Sequence, residues 1–246
     1  QLAANRRFNP AGADYDESGN IVGFYDNQTD NYWQHHYHLL ATQRLTDGLN
    51  LNVTLHYTDG RGYYEDYKAG AKYAAYKLPN FTGADGKEQK RTDLVRRKWL
   101  QNDFYGALAR LTYTHDRLQA VWGASINNYA GDHFGRVMWM KTVEAMPRPD
   151  YEYYRSRGEK LDYNTFLKAS YRLSNALSAY ADLQYRGINY SITGTDDKAG
   201  DIDVHRTFSF FNPKAGLSYE RGGNHAYASF AVAHREPNRK NFTENG

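Results

Sequence analysis

The sequence predicts an all-β fold: an antiparallel, up-and-down segment of a transmembrane β-barrel, with about eight strands in four hairpins. Three observations predict it. Apolar and polar residues alternate with a period of two along one segment after another, and no stretch carries a convincing helical period. Short turns and long connections alternate strictly along the chain. Tyrosines recur on the apolar register just before the short turns. In such barrels the short turns lie on the periplasmic side and the long loops outside.

The first strand covers residues 32–45, with Trp33, Tyr37, Leu39 and Leu45 in one register, and breaks at Thr46, Asp47 and Gly48. The next, LNLNVTLHYT at 49–58, puts Leu49, Leu51, Val53, Leu55 and Tyr57 on one face. Asn50, Asn52, Thr54, His56 and Thr58 take the other. A second pair sets Tyr105, Ala107, Ala109, Leu111 and Tyr113 beside Leu118, Ala120, Trp122, Ala124 and Ile126, across a turn at 115–117. A third joins 164–173 to 177–186 through Ser174 and Asn175. The fourth joins 208–219 to 225–235 through a Gly-Gly turn. Between pairs the connections are long, roughly residues 59–102, 129–161 and 193–206. Loops of that length are uncommon in compact soluble domains. Tyr113, Tyr171 and Tyr219 stand where an inner aromatic girdle belongs.

The opposite register carries Arg110, Lys168, Arg172, Asp182, Gln184, Arg186 and Lys214. A cation facing lipid at mid-bilayer costs roughly 2–4 kcal/mol, so these must face a polar lumen. A large soluble antiparallel sheet also alternates, and the pattern alone leaves that reading open. Composition narrows the rest. The 246 residues carry 31 Lys+Arg against 28 Asp+Glu, a net charge of +3 without a basic stripe, which argues against nucleic acid. Mean hydropathy is −0.86, and no apolar run reaches the ~18 residues of a spanning helix. The 23 tyrosines outnumber Phe, Trp and Met together, and the absence of cysteine excludes disulfides and thiolate metal sites. The N-terminal QLAANRRFNPAG has no apolar run after its charges, so no signal peptide is expected in it.

Three stretches resemble the β-barrel of TonB-dependent outer-membrane receptors of Bacteroidetes type. NRRFNPAGADYDESGNIVGFYDNQTDNYWQHHYHL, residues 5–39, is similar to an outer loop returning into a strand. LNLNVTLHYTDGRGYYEDYK, residues 49–68, is similar to a strand emerging into a Gly- and Tyr-rich loop. AVAHREPNRKNF, residues 231–242, resembles the family's Arg-x-Pro motif after a barrel strand, with Arg235 and Pro237 in place and Phe242 near the position of a usual leucine. The resemblance implies an internal piece, residues 1–246, of a plugged barrel of twenty-two strands, lacking the plug, the TonB box and the closing strand. It also implies residence in the bacterial outer membrane and uptake of a bulky nutrient. Energy would come from TonB through the plug. The implied partners are outer-membrane lipid and lipopolysaccharide, the plug and remaining strands of the parent chain, and a nutrient such as an iron–siderophore complex. Haem, cobalamin and glycans are further cargoes of the family. The motif of Arg235, Pro237 and Phe242 would be structural, and no cofactor is implied.

No catalytic motif is present, so an enzyme is not expected. Tyr63, Tyr64 and Tyr67 leave the strand directly and are the better ligand candidates. Tyr73 and Tyr76 follow them in the loop. An outer aromatic girdle with loops packed on each other accounts for these tyrosines equally. In YAGDHFGRVMWM, Asp132, His133, Arg136 and Trp139 combine charge and aromatic surface for a ligand, or simply pack the loop. Arg155, Arg157 and Arg172 could meet an anion, lipopolysaccharide or the plug. His36 and His38 share a strand face while His35 points away, too few ligands for a metal site. The acidic stretches 14–17 and 196–201 lack calcium-loop spacing and read as solvated turns. Two rival readings remain: a self-contained eight-stranded barrel serving adhesion or structure, and a soluble carbohydrate-binding β-sandwich.

Overall fold

The computed structural model describes residues 13–16, 18–24, 30–198 and 200–243. Residues 5–12, 17 and 25–29 of the first family-like stretch, with Glu17 of the first acidic stretch, lie outside the described residues. In chain order the strands are β1 (Ala13–Tyr15), β2 (Ile21–Phe24), β3 (Asp30–Thr46), β4 (Leu49–Lys72), β5 (Phe81–Thr82) and β6 (Glu88–Gln89). They continue with β7 (Arg91–His115), β8 (Leu118–Met140), β9 (Tyr151–Arg172), β10 (Leu177–Asp196), β11 (Gly200–Arg221) and β12 (Asn224–Ala231). One short helix, α1 (Arg239–Thr243), follows.

Eight of these strands form one antiparallel sheet in the order β3-β4-β7-β8-β9-β10-β11-β12, with β3 and β12 as its two edges. β1 with β2 and β5 with β6 make separate two-stranded pairs. The eight expected strands are all present, and the register keeps like with like. Tyr57 lies opposite both Tyr37 and Tyr105, while Asp182 lies opposite both Lys168 and Lys214.

Seven of the eight strands run further than the alternation indicates, while β12 stops at Ala231, short of the expected 235. β4, β7 and β8 are 24, 25 and 23 residues long, so most of the connections expected as loops continue the ladder. What remains between hairpins is residues 73–90, 141–150 and 197–199. The physical reason lies in the two requirements on a strand. Backbone groups must stay paired everywhere, but apolar–polar alternation is needed only where one face meets an apolar medium. Beyond that belt Tyr64 pairs with Lys98, and Asp132 with Arg157, in regular register without alternation.

The two faces differ sharply. One exposes Leu39, Leu55, Trp122, Ile126, Leu167, Leu183, Leu217 and Phe230, an apolar belt far larger than a soluble monomer shows. Trp122 in this belt donates its Nε1–H to Thr165 Oγ1 at 3.1 Å, so its polar handle is satisfied locally. The polar face is concave, because residues of β3, β4 and β10 border a single cavity on it. Glycines let aromatic rings lie flat across neighbouring strands. A Cβ on Gly123 would stand 2.3 Å from the Phe166 ring, and one on Gly187 2.2 Å from the Tyr163 ring.

At the long-connection end a compact cluster forms on the concave side. Residues 73–90 fold back so that Tyr73, Tyr76 and Leu78 bury against Leu94, Val137, Met140, Tyr153 and Tyr154. Arg96 fixes this arrangement, reaching Asp66 through Nε at 2.8 Å and the Tyr76 hydroxyl at 3.3 Å.

Candidate ligand cavity at the mouth of the sheet

The cavity has a volume of about 850 Å³ and opens on the concave face at the long-connection end. Its position follows from register. Tyr32 and Gly62 are cross-strand partners in β3 and β4, Leu100 pairs with both Gly62 and His133, and His133 pairs with Ser156. Tyr64, Lys98 and Tyr154 border the cavity on this same face. The tight β10–β11 connection brings Asp196 and Asp197 to the other side, and Arg239 enters from the C-terminal segment.

Four of its charged groups are matched in two pairs. Lys98 Nζ contacts Asp197 Oδ2, and Arg239 Nη2 donates to Asp196 Oδ2 at 3.0 Å and to the buried Ser156 Oγ at 2.8 Å. Burial, helped by the nearby Arg239 guanidinium, pulls the His133 imidazole down to about 4, so it is neutral at physiological pH. The arrangement offers aromatic surface for packing, a neutral imidazole, and guanidinium and ammonium donors held by displaceable carboxylates. That suits binding.

Among the candidates read from the sequence, Tyr64 and His133 meet in this cavity. Tyr63 borders it but belongs to the convex register. Its ring lies 4.5 Å from Trp99 and under the Arg97 guanidinium at 4.4 Å. The Trp99 ring stacks in turn on Phe134 at 5.9 Å, with Arg155 4.0 Å above Phe134. Arg136 joins this convex stack beside Phe134 and Glu152. Tyr67 and Trp139 both pair with Val95 in one row, again on the convex register. Tyr67, Arg136 and Trp139 are therefore not brought to the cavity. Tyr73 and Tyr76 pack the cluster instead, which is the loop-packing alternative for those two.

Arg155 and Arg157 bond Asp132, Glu152 and Glu159 on the convex face, and Arg172 donates to the Asp116 carbonyl at 3.2 Å. His36 and His38 share the concave face with His56 beside a second cavity, while His35 turns to Asp59 on the other face. Among the described residues no three potential ligands have a metal-binding arrangement. Asp16 accepts from the Ser18 and Asn20 amides, a local turn. Asp196 and Asp197, read as a solvated turn, prove to be cavity walls. Tyr32, Lys98, Trp99, Tyr154 and Arg239 were also missed. The 193–206 connection is the shortest of the three between hairpins, and that is the signal that could have found the two aspartates.

The motif region departs from its strand after Ala231. Residues 232–243 cross the concave face, with Arg235 and Pro237 exposed and Phe242 packed 5.6 Å from the Tyr190 ring. Glu236, between the two motif residues, makes the contacts to the sheet.

Residues 1–245 match the family model described as TonB dependent receptor-like, beta-barrel. The chain belongs to the TonB-dependent receptor β-barrel family. This is an outer-membrane family of receptors and transporters. Two solved structures share the fold of this TonB-dependent receptor barrel. The open form of the ferric-catecholate import receptor Fiu from E. coli K12 superposes with a TM-score of 0.62 at 13% identity, over 90% of this chain and 39% of Fiu. The siderophore receptor PiuA from Acinetobacter baumannii gives 0.57 at 11% identity, over 89% of this chain and 37% of PiuA. The chain thus spans well under half the length of these receptors. No curated protein sequence matches it.

Proposed function

We propose that residues 1–246 are an internal part of the barrel wall of an outer-membrane receptor that imports a bulky nutrient with energy supplied by TonB. The Bacteroidetes-type motifs at 5–39, 49–68 and 231–242 support assigning it to that branch of the family. In this reading the convex apolar belt faces lipid, the concave face lines the lumen, and the long-connection end is extracellular. Outer-membrane lipid and lipopolysaccharide surround the belt and the charged rim above it. The plug and the remaining strands complete the barrel in the parent chain.

The observation that carries the reading is the aromatic, charge-paired cavity of about 850 Å³ at the extracellular mouth, where an arriving nutrient is first held. Tyr64 and His133 contact the ligand from the wall. Tyr63, Tyr67, Arg136 and Trp139 serve the outer rim. Among the family's cargoes we favour an iron–siderophore complex, since a catecholate or carboxylate oxygen fits the Arg239 and Lys98 donors once they leave their aspartates.

The test is uptake of radiolabelled iron, presented as a ferric tris-catecholate, by cells with and without the parent gene under iron limitation. Loss of uptake on deletion, restored by the wild-type gene, is expected. Unchanged uptake would remove the iron complex as cargo.

A further inference from the structure

The segment that follows β12 is held against the sheet at successive levels, the last being the Phe242 ring 5.6 Å from that of Tyr190. The Val232 amide donates to the Pro213 carbonyl at 2.9 Å. The His234 amide donates to Asn212 Oδ1 at 2.9 Å, and its ring stacks on Phe210. Glu236 accepts from Lys160 Nζ at 2.5 Å and from Arg186 Nη1 and Nη2 at 3.0 and 3.1 Å. Arg239 then reaches Ser156 and Asp196, at the cavity.

Glu236 is the centre of these ties. Lys160 and Arg186 also share Asp162, with Arg186 Nη2 at 2.6 Å and Lys160 Nζ at 3.3 Å, so two cations face two carboxylates in a half-buried group. Without Glu236 the two cations would share one carboxylate, and the segment would lose its only charged hold below Arg239 among the described residues. Pro237 fixes φ directly after this clamp and narrows the path the chain can take to Arg239. The five-residue α1 that carries Arg239 is too short to hold itself.

We propose that Glu236 is the positioning residue of the ligand cavity. It clamps residues 232–242 onto the lumen wall and thereby holds the Arg239 guanidinium where a ligand oxyanion, catecholate or carboxylate, replaces the Asp196 carboxylate. The proposal rests on the reading that this cavity binds the nutrient.

The experiment uses the full-length parent receptor in detergent, with a spin label on Asn241→Cys; this region of the receptor has no native cysteine, and any cysteine outside it is replaced. Folding of every variant is checked by heat-modifiable migration. The line shape should show a restrained label in the otherwise wild-type protein, a mobile one in Glu236→Ala and Glu236→Gln, and restraint regained in Glu236→Asp. Binding of a ferric tris-catecholate, read by tryptophan quenching, should weaken about tenfold in Glu236→Gln and in Arg239→Gln, with the double variant no worse than Arg239→Gln. An unchanged label in Glu236→Gln, or additive losses in the double variant, would overturn the proposal. Should the wild-type receptor not bind this probe, the cargo reading fails by itself, and the label measurement still decides the clamp.

Discussion

His133 lies where burial and a guanidinium act in the same direction, and its titration gives a sign that can be checked. Its folded value, about 4, lies below the ordinary histidine value near 6.5. The unfolded chain therefore binds more protons between those values, and the stability due to neutral His133 is full above pH 6.5 and lost as pH falls through 4. Thermal unfolding of the folded receptor in detergent should show a shallower decline between pH 6.5 and 4.5 in His133→Asn than in wild type. Equal slopes would mean that the imidazole is not desolvated. Neighbouring tyrosines test the two faces. Tyr64→Ala should weaken binding of a ferric tris-catecholate about tenfold, and Tyr67→Ala should leave it unchanged, because of these two Tyr64 alone borders the cavity. The reverse order would move the site to the convex rim. This pair also marks how much of the site the sequence carried. Residue type picked out Tyr63, Tyr64 and Tyr67 together. Which of them lies on the concave face depends on β4 continuing in register with β7 through residue 68, and no hydrophobic period announces that continuation.

Strands show the same division. In the belt, an apolar medium on one face and water on the other impose the period of two, so strands such as 49–58 and 118–127 are legible residue by residue. The upper half of β7, RTDLVRRKWLQ, has polar groups on both faces and reads as loop. It is strand because Leu94, Arg96 and Lys98 find backbone partners on β4 and β8. Cross-strand glycine–aromatic pairs lock the register that alternation leaves degenerate. Tyr163 lies over Gly187, so Gly187→Ala should cost about 1–3 kcal/mol in unfolding free energy by displacing the ring. In a Tyr163→Ala background the same change should cost little, a coupling visible in a double-mutant cycle by urea titration. An equal cost in both backgrounds would show that the glycine serves its own strand and not the ring.

Across the whole molecule, two rows of rings on the convex face frame the belt. Tyr105 and Tyr113, Tyr163 and Tyr171, and Phe211 and Tyr219 are each eight positions apart on their strands. That spacing is roughly 27 Å along a strand, or roughly 20 Å of height at the usual barrel tilt, close to the apolar band of such barrels. The sheet so framed is open: among the described residues β3 has only β4 beside it, and β12 only β11. An exposed edge is a demand for another strand. This separates a wall segment from a self-contained eight-stranded barrel, which would join β3 to β12 within the same 246 residues. The cysteine-free sequence allows a direct test: Leu39→Cys paired in turn with cysteines along β12, in the chain refolded in detergent. A disulfide needs Cα atoms within about 7 Å, so it forms only where the two edges meet. A wall segment should give no efficient intrachain cross-link at any β12 position. A strong cross-link at alternate positions would instead mean that the sheet closes on itself, and with that the larger-receptor reading of its lumen would give way to the small barrel.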